Sequence, residues 1–363
     1  MTDFLIVGGG IIGMLTAREL QEAGADVALL ERGEMARESS WAGGGIVSPL
    51  YPWRYPDSIS RLASVSQDHY EQLCMQISAD TGIDPQYTVS GLLIRADDEL
   101  TQAQQWAQRY QKALTVVDAS DIAELEPERH HPPATTIWMP EVAQVRNPRL
   151  VKALLQVLQQ RGVNIRTRTP ATGLILDDGH LRGVETPAGP VLAETTVLAM
   201  GAWTGAFSRM LPTPADIRPV RGQMLLFKGQ PGVIRHMMLE DNRYIIPRRD
   251  GRVLFGSTLE ETGFEKDTTQ SARDELTGLA IKCYPVLQTY EVEMHWAGLR
   301  PAAPAGIPYI TRHPQIENHF INAGHYRNGV VLGPASAKLL ADLALDRKPV
   351  IDPAPYALDA PRG

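Results

Sequence analysis

Gly8, Gly10 and Gly13 stand at GxGxxG spacing, directly after the apolar run Phe4-Leu5-Ile6-Val7. Glycines so placed permit a tight turn, let backbone approach a pyrophosphate, and let a helix pack closely on a strand. A helical pattern follows in Ile12, Leu15, Thr16, Glu19 and Leu20. Such a helix aims unpaired N–H groups and its positive dipole end at phosphates. A second apolar run, Val27-Ala28-Leu29-Leu30, ends at Glu31, and a carboxylate at that distance suits a ribose 2′-hydroxyl. Strand, turn, helix and acid together predict a dinucleotide site; the bland alternative is a tight βα turn with no ligand. The stretch from Arg37 to Val47 is a second glycine-rich loop, in which Ser39 and Ser40 can donate to phosphate and Gly44 and Gly45 let backbone lie against a flat ligand. The same composition also makes a flexible surface loop.

These residues need elements to hold them. Helical periodicity runs from about Ser58 to Thr81, and polar helical periodicity from Leu100 to Leu114. Asn147 suits an N-cap and Pro148 a first helical position, with Leu150, Leu154, Leu155 and Leu158 as the apolar stripe and Gly162 as the stop. Strands are predicted at 89–94, 164–169, 173–176 and 181–185, and a buried strand at 195–203. A strand-rich stretch opens at Arg221 and continues through 243–247, 252–256 and 291–297, interrupted by a helix over about 269–284. Near the C-terminus a strand from Phe320 enters the turn His325-Tyr326-Arg327-Asn328-Gly329, and a helix runs from about Gly333 to Asp346. Tyr51-Pro52-Trp53-Arg54-Tyr55-Pro56 reads as a stiff lid or, better, as a packed surface connection.

The predicted fold is α/β. Residues 1–85, 146–220 and 321–363 make a discontinuous nucleotide-binding domain, and 86–145 with 221–320 make a strand-rich second domain. The junction between them is the expected pocket.

Composition excludes several classes. The 363 residues carry a formal net charge of -7 and no Lys/Arg-rich run, which argues against a nucleic-acid surface. No apolar stretch reaches membrane-spanning length, and the first one lacks a basic leader and contains the glycine motif, so neither a span nor a signal peptide is predicted. Two cysteines, Cys74 and Cys283, offer no disulfide framework and fit a reducing cytoplasm. His130 and His131 share no helix face and precede two prolines, so a solvated loop is expected there and no metal site. A homo-oligomer is expected.

Taken together, the glycine turn, Glu31, the Ser39–Val47 loop, Ala199-Met200-Gly201-Ala202-Trp203, Trp296-Ala297-Gly298-Leu299-Arg300-Pro301 and His325-Tyr326-Arg327-Asn328-Gly329 resemble the D-amino-acid oxidase family of FAD flavoproteins over nearly the whole chain. The resemblance implies a glutathione-reductase-type FAD domain and non-covalent FAD. It places Gly8, Gly10, Gly13, Ile11 and Ile12 at the pyrophosphate, and Glu31 and Arg32 at the adenosine ribose. Ser39, Ser40, Gly44, Gly45, Ile46 and Gly201 would follow the phosphates and flavin, and Thr172 would give a backbone contact near the adenosine. His325, Tyr326, Arg327, Asn328, Gly329, Val330 and Val331 would wrap the polar edge of the flavin. Arg300 and Arg327 are the implied substrate-carboxylate ligands, with Tyr244 adding a hydroxyl. Guanidinium suits that role because it grips a carboxylate through two parallel hydrogen bonds.

The implied activity is oxidation of a small α-amino acid, glycine and sarcosine before D-alanine, to a 2-oxo acid, ammonia or amine and hydrogen peroxide, in the branch serving thiamine thiazole synthesis. The competing readings are a D-amino-acid dehydrogenase or sarcosine-oxidase-like enzyme, and a non-catalytic FAD module. One departure stands out: the family commonly has Asp after Arg-Pro-x-x-Pro, where this chain has Ala305.

Overall fold

The structure, a computed structural model, describes residues 2–95 and 98–362. Two eight-stranded sheets carry it. In the first, Thr2–Val7 lies between Val27–Leu30 and Val191–Leu198, parallel to both, and Val191–Leu198 runs parallel to Ile316–Ala323. Helices Ile11–Glu22, Asp57–Thr81, Asn147–Gln160 and Gly329–Ala344 pack their apolar faces into the core that adjoins this sheet. A parallel strand covered on both faces needs apolar residues throughout rather than alternation, and Leu5 and Ile6 are both fully buried. The second sheet orders Glu291–Ala302, Arg218–Lys228, Arg252–Gly256, Arg243–Pro247, Met237–Glu240, Leu92–Ile94, Thr135–Met139 and Thr115–Asp118.

Sheet membership shifts one expected boundary. Tyr309–His313 belongs to the first sheet, not to the second domain through residue 320, because it forms an antiparallel pair with Ile316–Ala323. The expected strand 89–94 is two short strands in different sheets, Thr88–Val89 and Leu92–Ile94, broken at Gly91. Gly91 has φ +64° and lies against the Trp138 ring, where a Cβ would come within 1.9 Å.

Asn147 is not an N-cap. It is the first helical residue, Arg146 takes the cap position, and the Asn147 side chain is buried with neither amide atom hydrogen-bonded. The last helix starts at Gly329, four residues before the expected Gly333, and keeps Pro334 inside it. Proline lacks the N–H that would bond the carbonyl four residues back. Here the Tyr70 hydroxyl donates to Val330 O at 3.2 Å instead, and Ser66 Oγ accepts from Ala335 N at 3.0 Å. The long helix thus supports the first turn of the last one. Among the described residues no helix is long and apolar enough to cross a membrane.

Candidate active site

A cavity of about 550 Å³ lies between the two sheets and runs from the glycine turn to the second sheet. Its floor is the end of strand Thr2–Val7. Gly8 has φ +120°, and a Cβ there would meet Ala199 O at 2.3 Å; a Cβ at Gly13 would meet Gly8 O at 1.9 Å. These two glycines let strand, turn and helix pack at backbone distance. Gly10 is the helix N-cap and offers no side chain, so the helix start is left to other donors and acceptors. Ser40 Oγ takes one of its amides, accepting from Ile11 N at 2.8 Å.

Glu31 braces the turn from below. Its two carboxylate oxygens accept from Gly9 N at 2.8 Å and from Gly33 N at 2.9 Å, while the residue still lines the cavity. Replacing Glu31 with alanine removes both braces and the acceptor expected for the ribose. Charge-assisted hydrogen bonds contribute about 1.5–3 kcal/mol each, so FAD dissociation is expected to rise at least about tenfold. Turnover of the FAD-loaded fraction should change little. Titrating apoprotein with FAD by flavin fluorescence checks this, and unchanged affinity would dismiss the ribose role.

The side wall holds a residue whose role the sequence did not reveal. The Arg32 guanidinium lies 3.5 Å over the Trp203 ring, which stacks on Phe264 with centroids 5.4 Å apart. Arg32 also donates to Glu38 Oε1 at 2.7 Å, and Lys266 pairs with the same carboxylate at 2.9 Å. Trp203 is the last residue of the Ala199–Trp203 motif, and its place beside Gly201 is the signal that points to it. A Cβ at Gly201 would meet nothing within 4 Å, so this glycine keeps the cavity open.

The Ser39–Val47 loop is fixed from behind. The Ser39 hydroxyl donates to Leu299 O, so that proton ties the loop to the strand carrying Arg300 rather than facing a phosphate. Gly44 O accepts from Arg248 Nη2 at 2.7 Å. Arg248 is buried and also donates to Gln144 Oε1 and Val145 O. Its burial pulls its pKa down to about 9, which leaves it cationic at neutral pH.

At the far end, Arg300, Arg327 and Tyr244 meet on the same cavity. The expected strand 291–297 runs on to Ala302, so Arg300 sits inside Glu291–Ala302, opposite Val220. Its Nη1 donates to Arg221 O and Thr258 O, each at 3.2 Å, and Nη2 donates to Ser257 Oγ. Burial lowers the Arg300 pKa; the Tyr244 phenol opposes that shift and the Arg327 guanidinium adds to it. Among the described residues neither arginine has a carboxylate partner. Tyr244 is buried, with its hydroxyl 3.5 Å from Met224 Sδ.

His325 lines the cavity and is held neutral, its pKa pushed down to about 3 by burial. The Ser336 hydroxyl proton goes to Leu332 O, so His325 Nε2–H donates to Ser336 Oγ at 3.0 Å and Nδ1 is left as an acceptor. Tyr326, Arg327, Gly329 and Val330 also line the cavity, as do Ile11, Ile12, Gly44, Gly45 and Ile46. Gly13, Thr172, Asn328 and Val331 do not. Thr172 lies just past Ala171, with its N–H bonded to Glu185 O at 2.8 Å, and Val331 is packed in the core.

Tyr51 is only 3 % exposed, carries the Arg54 guanidinium 3.7 Å over its ring, and anchors the 51–56 segment as a packed connection. Ala305 has φ +52°, a left-handed conformation that Asp tolerates better than Ala. Neither cysteine lines the cavity. Among the described residues no group of three or more His, Cys, Asp or Glu is placed to hold a metal ion.

The residues present fit FAD: a helix start whose cap residue has no side chain, a carboxylate at the end of the second strand, a glycine-lined wall and an elongated cavity between the sheets. Comparison with known proteins agrees. The FAD dependent oxidoreductase (DAO) family model matches residues 3–343. A glycine oxidase from Pseudomonas putida is 46% identical over 354 residues, 97% of each chain. A bifunctional ThiO/ThiG protein from Nostoc is 31% identical over 95% of this chain and 53% of its own length. The crystal structure of glycine oxidase from Geobacillus kaustophilus superposes with a TM-score of 0.95 at 26% identity, covering 100% of this chain and 99% of that one.

Proposed function

The chain belongs to the FAD dependent oxidoreductase family, and on that premise we propose that it is a glycine oxidase acting on glycine and small N-alkyl glycines. The observation that carries the substrate class is the half-buried Arg300 guanidinium beside Arg327, with no carboxylate among the described residues to balance either. A buried cation without a counter-charge is costly, and a substrate carboxylate relieves that cost. Arg300 is locked by three hydrogen bonds, so it presents a fixed fork. Arg327 closes on the carboxylate from the 325–329 turn, and Tyr244 supports it with its hydroxyl. FAD, when bound, supplies the acceptor for the substrate's α-hydrogen and its electron pair.

The protein's own task is to orient the substrate and manage protons. The carboxylates on the cavity wall, Glu31 and Glu38, are engaged by the Gly9 and Gly33 amides and by Arg32 and Lys266. His325 keeps a free Nδ1, but burial pushes its pKa down to about 3, which makes it too weak a base to take an amine proton. No wall group stands ready as a general base, so the substrate amine reacts after losing its proton to water. The imine released by oxidation hydrolyses to glyoxylate and ammonia, and oxygen accepts the electrons to give hydrogen peroxide. The same proposal places the enzyme in the cytoplasm, serving thiamine thiazole synthesis.

Oxygen-uptake kinetics across glycine, sarcosine, D-alanine, D-phenylalanine and L-alanine test it. Glycine and sarcosine should lead, D-alanine should follow, and D-phenylalanine should react poorly. L-Alanine should not react, because its side chain would occupy the place of the transferred hydrogen. Peroxide should equal glyoxylate one for one. Preference for D-phenylalanine over glycine would leave a general D-amino-acid oxidase, and flavin reduction by glycine without oxygen uptake would leave a dehydrogenase.

A further inference from the structure

A second cavity, of about 270 Å³, lies behind the flavin-facing loop, and no carboxylate lines it. Four arginines do: Arg146, Arg235, Arg248 and Arg249. Two of them have acidic partners outside the lining, Arg146 with Asp250 at 2.7 Å and Arg249 with Asp84 at 2.9 Å. Among the described residues the other two have none. Arg235 is exposed, and its guanidinium reaches only Glu124 O, at 3.4 Å. Arg248 bonds only neutral oxygens, and its Nε is buried without a partner. Ser90 adds a hydroxyl whose oxygen accepts from Gln144 Nε2 at 2.9 Å, leaving its proton available.

We infer that this cavity is an anion site for a phosphate group, separate from the FAD and substrate sites. Arg235, which has no acidic partner among the described residues, and the Ser90 hydroxyl, on a lining that contains no acid, suit an oxyanion such as phosphate. The volume admits a phosphate with a small organic substituent. Arg248 joins the two cavities, since the same guanidinium that lines this one holds Gly44 O on the wall of the other. An anion here balances the Arg248 charge and stiffens the loop against which the flavin rests.

Isothermal titration of the FAD-loaded, full-length protein with inorganic phosphate and with glycerol 3-phosphate, at constant ionic strength set by chloride, reads the site. Saturable one-site binding of either probe is expected. Tighter binding of the ester identifies an organic phosphate as the better ligand, and equal binding identifies the phosphate group alone. Arg235→Gln leaves the core untouched and should weaken binding about tenfold, the loss of one charge-assisted bond, with glycine turnover unchanged. Ser90→Ala should weaken it less. Lack of saturation, binding unaffected by both substitutions, or binding lost only in Arg300→Lys would overturn the proposal. The last result would place the phosphate in the substrate site.

Discussion

Arg300→Lys is expected to lower kcat/KM for glycine by roughly a hundredfold while the protein still binds FAD and folds. The loss has two parts. A lysine ammonium is a point charge and cannot make two parallel bonds to a carboxylate. Losing one charge-assisted bond costs about 1.5–3 kcal/mol, roughly tenfold or more in affinity. The second part is aim. The Arg300 guanidinium is fixed by Arg221 O, Thr258 O and Ser257 Oγ, and so fixes the angle at which a carboxylate sits. A lysine tip in the same place has no such frame, and misplacement of about 1 Å in a reacting group costs on the order of a hundredfold. Stopped-flow reduction of the flavin by glycine separates the parts: weaker saturation reports the lost grip, and a lower limiting rate reports the lost aim. Saturation kinetics equal to the unsubstituted enzyme would remove Arg300 from the carboxylate site.

The nucleotide half of the site was legible because its signals are local. Gly8, Gly10, Gly13 and Glu31 fall within one βαβ unit, where Gly13 is demanded by Gly8 O and Glu31 bonds Gly9 N, although the backbone that Gly8 makes room for is Ala199 of a distant strand. The substrate half was legible only through resemblance. Arg300 and Tyr244 lie on strands separated by two others in the second sheet, and Arg327 lies on a turn leaving the first, so no spacing in the chain brings them together. The start of the last helix was misplaced for a similar reason. Pro334 suits a first turn, and the hydroxyl of Tyr70 that allows it deeper in the helix comes from residues more than two hundred and fifty positions away. Arg221 inside a strand and Arg248 just past one are both buried, and nothing in their sequence neighbours marks it, because their burial is set by packing between distant segments.

Gly222 is the clearest case of a site residue hidden in this way, and it gives the sharper experiment. In sequence it is one member of a strand, Arg218–Lys228. In the fold it lies beneath the Arg300 guanidinium: a Cβ there would come within 2.1 Å of Nη2, 2.2 Å of Nη1 and 2.3 Å of Cζ. Its backbone pairs regularly with Gly298 and has no left-handed φ, so alanine is not strained by conformation. The clash is with the tip of one flexible side chain, and that tip must move. Gly222→Ala is therefore expected to push Arg300 off its three hydrogen bonds while sparing the sheet and the FAD cavity. The purified variant should keep FAD with an ordinary flavin spectrum and lose about a hundredfold in glycine kcat/KM, the scale of a misplaced positioning group. Because both substitutions act through one guanidinium, combining Gly222→Ala with Arg300→Lys should cost little more than Arg300→Lys alone. Additive losses would mean that Gly222 acts elsewhere. Undiminished glycine turnover in Gly222→Ala would show that the exact placement of the Arg300 guanidinium does not matter to the reaction, its charge alone sufficing.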